Sequence, residues 1–157
     1  MSLARFQDPG ELMSHRNDAL LLDEILNADA NRLEGRLVVR RGTSFSDSSG
    51  NLPAWVGPEI MAQAISALSG WRSLRACGHL PGIGLLLGIR SYAAPAGGFL
   101  CGETLDVEVI ESSEDEEGMA VFEGRIRRSG EVLATGTLTV FQPPDDTFIA
   151  GECARDD

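Results

Sequence analysis

Lysine is absent from this chain; all 13 basic residues are arginine. That excludes Schiff-base chemistry on a lysine, a phosphate-loop lysine and a Ser–Lys nucleophile pair. Positive charge is scarce as well. Against the arginines stand 24 Asp and Glu, for a formal net charge of -11 and a pI near 4.5. A nucleic-acid partner is excluded, because binding phosphates needs a basic face. Cysteines are few and far apart: Cys77, Cys101 and Cys153 make no CxxC and no zinc spacing. They read as three reduced thiols, and no metal is expected. Long apolar runs are missing. The longest, residues 83–89, is seven residues including two glycines, too short to cross a bilayer. The N-terminus MSLARFQDPG lacks the apolar core of a signal peptide. The expectation is a soluble cytoplasmic protein with no membrane partner.

What is present is globular. The 157 residues are 43% hydrophobic and 24% charged, which fits one domain of ordinary size. Residues 1–142 read as that domain and 143–157 as an acidic tail. The apolar block 19–22 and the partly alternating segment 32–41 supply two early strands. A loop of Gly, Ser, Thr, Asp and Asn follows over 42–52. Gly57-Pro58 then starts the clearest helix, because proline suits the first helical turn. Met61, Ala64, Ile65, Leu68 and Trp71 recur at helical spacing, and the helix should end at Cys77-Gly78. Its many small residues allow close approach by neighbours.

The remainder reads as strands. Residues 83–92 are apolar on both alternations, which predicts burial on both faces or a place at an interface. Residues 104–112 alternate, 111–118 form an acidic turn, and 119–128 and 132–141 form a hairpin around Ser129-Gly130-Glu131. With only one long helix to cover five or six strands, the economical packing is α+β: a curved antiparallel sheet wrapped around that helix. The glycines at 82, 84 and 88 do not make a dinucleotide fingerprint, since the third is one position late and no helix follows. No cofactor is expected.

One polar set stands out on the helix. Glu59 is followed by Gln63, Ser66, Gly70 and Ser73, a broken polar stripe along one face. A solvated face is the ordinary explanation of such a stripe, and a carboxylate in the first turn also complements the helix dipole. Against that, a helix wrapped by a sheet has little solvent to face.

These residues carry a resemblance. Leu52-Pro53-Ala54-Trp55-Val56-Gly57-Pro58-Glu59-Ile60-Met61-Ala62-Gln63 resembles the central Pro-Gly-Val-x-x-x-Glu-x-x-Ala-Gln segment of the FabZ-type 3-hydroxyacyl-ACP dehydratases. Upstream, His15-Arg16-Asn17-Asp18-Ala19-Leu20-Leu21-Leu22-Asp23 resembles that family's His-Arg-Tyr-Pro-Phe-Leu-Leu-Val-Asp. Downstream, residues 99–105 resemble its Val-Pro-Gly-Asp-x-Leu turn. The wording around Trp55 is closer still to the ApeP-like branch, predicted dehydratases found with aryl-polyene and related lipid clusters. Three motifs in the right order, over roughly residues 12–142, make the resemblance fairly specific.

The resemblance implies a hotdog fold. It implies a homodimer, or a heterodimer with a related dehydratase, joined along the strand after the helix, with the active site at the interface. The reaction would be loss of water from a 3-hydroxyacyl thioester carried by acyl carrier protein or CoA. A base would take the α-proton and an acid would protonate the departing β-hydroxyl. Glu59 is the expected acid. The Gly57 N–H is the candidate donor to the thioester oxygen, since Pro58 has none. Gln63, Phe45 and Trp55 are expected to bind or shape the substrate site.

The sequence departs from the pattern at the base. Fourteen residues before Glu59, where the family has histidine, stands Phe45. His79 imitates the family's Gly-His-x-Pro-Gly but lies beyond the far end of a helix about 27 Å long, so a loop histidine is the better account of it. His15 and Asp47 remain as substitutes. Asp47 and Glu59 could divide the work if their environments separate their pKa values. A hotdog thioesterase and a non-catalytic acyl-binding subunit are the competing readings, because the fold is common to all three. The acidity also creates a tension, since acyl carrier protein is itself acidic. Docking would need an arginine patch, with 125–128 or Arg72 and Arg75 as candidates. An acidic 103–117 segment at the tunnel mouth would favour a CoA-linked or free substrate.

Overall fold

A computed structural model describes residues 8–13, 17–80 and 84–142. Six strands form one antiparallel sheet: β1 (Glu24–Ala28), β2 (Arg32–Val38), β3 (Leu85–Ala93), β4 (Thr104–Glu114), β5 (Met119–Arg128) and β6 (Glu131–Phe141). Their spatial order is β1-β2-β4-β5-β6-β3. A single long helix, α1 (Gly57–Cys77), crosses the concave face. The α+β architecture expected from the sequence is therefore the observed one.

The helix is bounded by local chemistry. Pro58 sits in the first turn, where a missing N–H costs nothing. Gly78 ends it in the left-handed conformation, φ 82°, with its N–H bonded to the Leu74 carbonyl. Ile60, Met61, Ala64 and Leu68 on α1 are fully buried, as are Leu33, Leu37, Val107 and Ile126 on the facing strands. Burying each of these larger apolar side chains contributes roughly 1.5–3 kcal/mol. Close approach also uses the helix's small residues. A Cβ on Gly70 would lie 1.9 Å from the Leu12 carbonyl oxygen, so the N-terminal turn is seated directly on the helix backbone.

Three expectations need correction. Residues 19–22 are not a strand. Leu21 and Leu22 are buried, but as irregular chain, and β1 begins at Glu24. The acidic turn is shorter than predicted, because β4 runs on to Glu114 past a register shift between Glu111 and Ser113. Cys101 is a free, exposed thiol, but Cys77 is disulfide-bonded, so three reduced thiols is not the observed state. For the doubly apolar segment near residue 85, of the two expected places, burial within the chain is not the one found. It is β3, one of the two edge strands, paired only with β6, and its Leu87 is 54% exposed. Among the described residues no helix is long and apolar enough to cross a membrane. The tail from residue 143 lies outside the described residues.

Candidate active site

The polar stripe of α1 is divided among different tasks. Gln63 is fully buried. Its Oε1 accepts from the Leu21 N–H at 2.8 Å, and its Nε2 donates to the Ala19 carbonyl at 2.8 Å and to Glu59 Oε2 at 2.9 Å. One amide thus satisfies a backbone donor and acceptor that the irregular 19–22 segment cannot pair in a ladder. It also fixes the Glu59 carboxylate, one helical turn away on the same face. Ser73 belongs elsewhere, donating to the His79 carbonyl at 2.7 Å.

Glu59 and Ser66 border a cavity of about 580 Å³. Ala62, Ile65, Leu86 and Phe122 give it apolar walls, and Arg72, Glu111 and Glu114 close it with charge. Arg72 bonds Glu111 at 3.1 Å and the Ala30 carbonyl at 2.7 Å. Along α1 the lining runs from Glu59 to Arg72, roughly 20 Å at 1.5 Å per residue. The cavity is therefore elongated, with a carboxylate at one end and an ion pair at the other.

The other expected site residues are placed differently. Gly57 is the first residue of α1, and its N–H donates to the Ala54 carbonyl, closing the short turn Ala54–Val56. Trp55, in that turn, is 68% exposed. Phe45 packs partly buried against the core. Asp47 is exposed, and its Oδ1 accepts from the Ser49 and Asn51 N–H groups, both at 2.9 Å. These bonds make it a loop-shaping residue where it stands. His15 lies outside the described residues. His79 is exposed beyond the helix end, as expected. Among the described residues no group of His, Cys, Asp and Glu could hold a metal.

The arginine clusters are not open patches. Arg32, Arg125 and Arg127 converge on Glu108, at 2.5, 3.9 and 3.3 Å. Arg128 pairs with Glu103 and Glu131. Arg36 bonds Asp106 at 2.7 Å, and Arg40 pairs with Asp23. Among the described arginines, those outside ion pairs are Arg41, Arg75 and Arg90. Arg41 bonds the Ser48 carbonyl, Arg75 lies over the Trp71 ring, and Arg90 is exposed on β3.

Sequence reasoning missed Tyr92, which projects from β3 to the start of α1. Its hydroxyl donates to the Ala54 carbonyl at 2.5 Å. Burial pushes its pKa up to about 12, against a smaller opposing pull from the Gly57 N–H. The available signal was thin: it is the chain's single tyrosine, at the end of a strand that begins apolar.

Comparison with known proteins agrees with this geometry. A chain of the dehydratase heterocomplex ApeI:P from Xenorhabdus doucetiae is 30% identical, with a TM-score of 0.82 over 93% of this chain and 98% of that one. A hypothetical thioesterase from Streptococcus pneumoniae TIGR4, solved with coenzyme A, shares the fold at 18% identity, a TM-score of 0.57, and 75% and 86% coverage. The protein smu.793 from Streptococcus mutans UA159, bound to acetyl CoA, does so at 14% identity, a TM-score of 0.56, and 74% and 85% coverage. No curated protein matches the chain in sequence. The ApeP dehydratase family matches residues 7–150, nearly the whole length, and the chain belongs to this ApeP-like family of hotdog dehydratases.

Proposed function

We propose that the chain dehydrates a 3-hydroxyacyl thioester in polyene-type lipid synthesis, with Glu59 as the acid, and that it works beside a second dehydratase subunit joined along β3. One observation carries this reading: Glu59 is oriented by Gln63 and borders an elongated cavity with apolar walls. In the reaction a base removes the α-proton, and the freed electron pair forms the α,β double bond. The β-carbon–oxygen bond breaks, and the hydroxyl leaves as water with the proton from the Glu59 carboxyl. The carboxylate then regains a proton from the base or from solvent.

The base is the open part of the site. Phe45 replaces the usual histidine, so the base comes from His15, from Asp47 or from the partner. Support for a partner is the apolar edge of β3, because an exposed strand edge with apolar faces invites pairing. A relative in a two-component dehydratase supports the same reading. The carrier follows from charge. Glu111 and Glu114 line the cavity's far end, so an acidic carrier protein must approach from the Glu59 end, with Arg41 or Arg90 as its contact. A CoA thioester needs no such patch.

The test offers 3-hydroxyacyl-ACP and 3-hydroxyacyl-CoA to the chain, alone and mixed with a related dehydratase subunit. Glu59→Gln should lower enoyl formation by about 10²–10⁴-fold. His15→Ala and Asp47→Asn, made separately, identify the base. Thiol release without an enoyl product would replace the proposal with a thioesterase. Absence of either product in every combination would leave an acyl-binding subunit.

A further inference from the structure

Tyr92 sits in a slot that the chemistry above does not use. Its hydroxyl reaches the Ala54 carbonyl and lies against the Gly57 N–H. Both sides of the slot are shaped for it. A Cβ on Gly57 would lie 1.8 Å from the hydroxyl oxygen, and one on Gly136 would come within 3.3 Å of the ring. Gly57 has φ -50°, an ordinary helical value, so close approach rather than backbone freedom requires glycine there. On the strand side, Ser91 adopts φ 54°, and the register with β6 slips between Arg90 and Ala93. Such a bulge re-aims the next side chain, and a non-glycine residue at positive φ costs energy that the fold must offset. Two local departures from regular structure on β3 thus bring one hydroxyl against Gly57, two residues before Glu59.

We propose that Tyr92 is a positioning residue. Its hydroxyl clamps the Ala54–Gly57 turn, and through it holds the Glu59 carboxylate in line for proton transfer. The catalytic half of this inference rests on the dehydratase reading of Glu59; the clamp itself does not. A displacement of a reacting group by even an ångström is enough to slow turnover.

Tyr92→Phe removes one oxygen and keeps the ring, and the full chain is used throughout, with its partner subunit where turnover needs one. Two readouts are taken together. Amide hydrogen exchange at Gly57 and Val56 should quicken about tenfold, while exchange at Val107 and Val109 of β4 stays unchanged. The kcat for dehydration should fall about tenfold with KM within about twofold. Gly57→Ala, which pushes the hydroxyl away, should give the same local signature, and the double variant should be no worse than either single one. Unchanged exchange at Gly57 would overturn the clamp. Faster exchange throughout β4 would also overturn it, reducing Tyr92 to general stability. Faster local exchange with unchanged kcat would overturn the link to Glu59. Were the unaltered protein inactive on every thioester, the dehydratase reading would fall, and the exchange measurements would still decide the clamp.

Discussion

Two carboxylate sites of this protein, Glu108 buried and Glu59 half-buried, are built on opposite plans. On the outer face of the sheet Glu108 is drawn under three arginines from β2 and β5. Burial by itself would raise its pKa. The Arg32 hydrogen bond and the charges of Arg32, Arg127 and Arg125 outweigh that and lower it. At the start of α1, Glu59 is oriented by the neutral amide of Gln63 and borders the cavity. A ring of guanidiniums fixes a carboxylate as an anion. A neutral amide donor fixes the position of the carboxylate it bonds without adding a charge beside it. The two carboxylates are therefore held in different ways, Glu108 by charge across strands and Glu59 by an amide one helical turn away.

The largest effect should come from breaking the neutral network. Gln63→Leu keeps the volume but strands the Leu21 N–H and the Ala19 carbonyl, both in the segment seated against α1. Each buried group left unpaired costs about 1–3 kcal/mol, so a loss of about 2–4 kcal/mol is expected in urea unfolding. Turnover should fall as well, because Glu59 loses the bond that orients it. A variant as stable as the wild type would show that water replaces the amide there.

The charged network should matter less, and in a pH-dependent way. The arginines around Glu108 are 26–50% exposed at their side chains, so solvent screens much of the attraction. Glu108→Gln should cost about 1–2 kcal/mol at pH 7. Because the folded pKa is lowered, the contribution is present above the ordinary glutamate range and is lost as pH falls through the lowered value. Wild type and variant should therefore converge in stability as pH falls below that lowered value. A gap that persists there would mean that packing, not charge, accounts for the difference.

The same contrast explains what could be read from the sequence. The helix was legible to the residue, because Pro58 and Gly78 are local signals that need no tertiary context. The β5–β6 hairpin was legible for the same reason, from Ser129-Gly130 and alternation. Residues 19–22 misled because burial and ladder pairing usually coincide. Here they are separated, with Gln63, more than 40 positions later, supplying the bonds a neighbouring strand would have made. The partner of Arg125 and Arg127 was not legible, because Glu108 lies on the preceding strand and comes beside them only through the β4–β5 register. Tyr92 was invisible because its role depends on a bulge and on the close approach of Gly57, neither of which leaves a periodic trace.

The smallest effect on the chain itself should come at β3, and it bears on how the site is completed. Leu87 is 54% exposed on this edge strand and does not border the cavity. Leu87→Asp should change the stability of the isolated chain by no more than about 0.5 kcal/mol, as exposed substitutions do. The same change buries a charge wherever a partner covers that strand, and a buried unpaired charge is strongly unfavourable. Association with a related dehydratase subunit, followed by sedimentation, should then weaken at least about tenfold while Tm stays in place. If association is unaffected, the partner does not use this edge. The apolar run in β3 would then need another explanation, and the comparison between the two carboxylates would concern one subunit only.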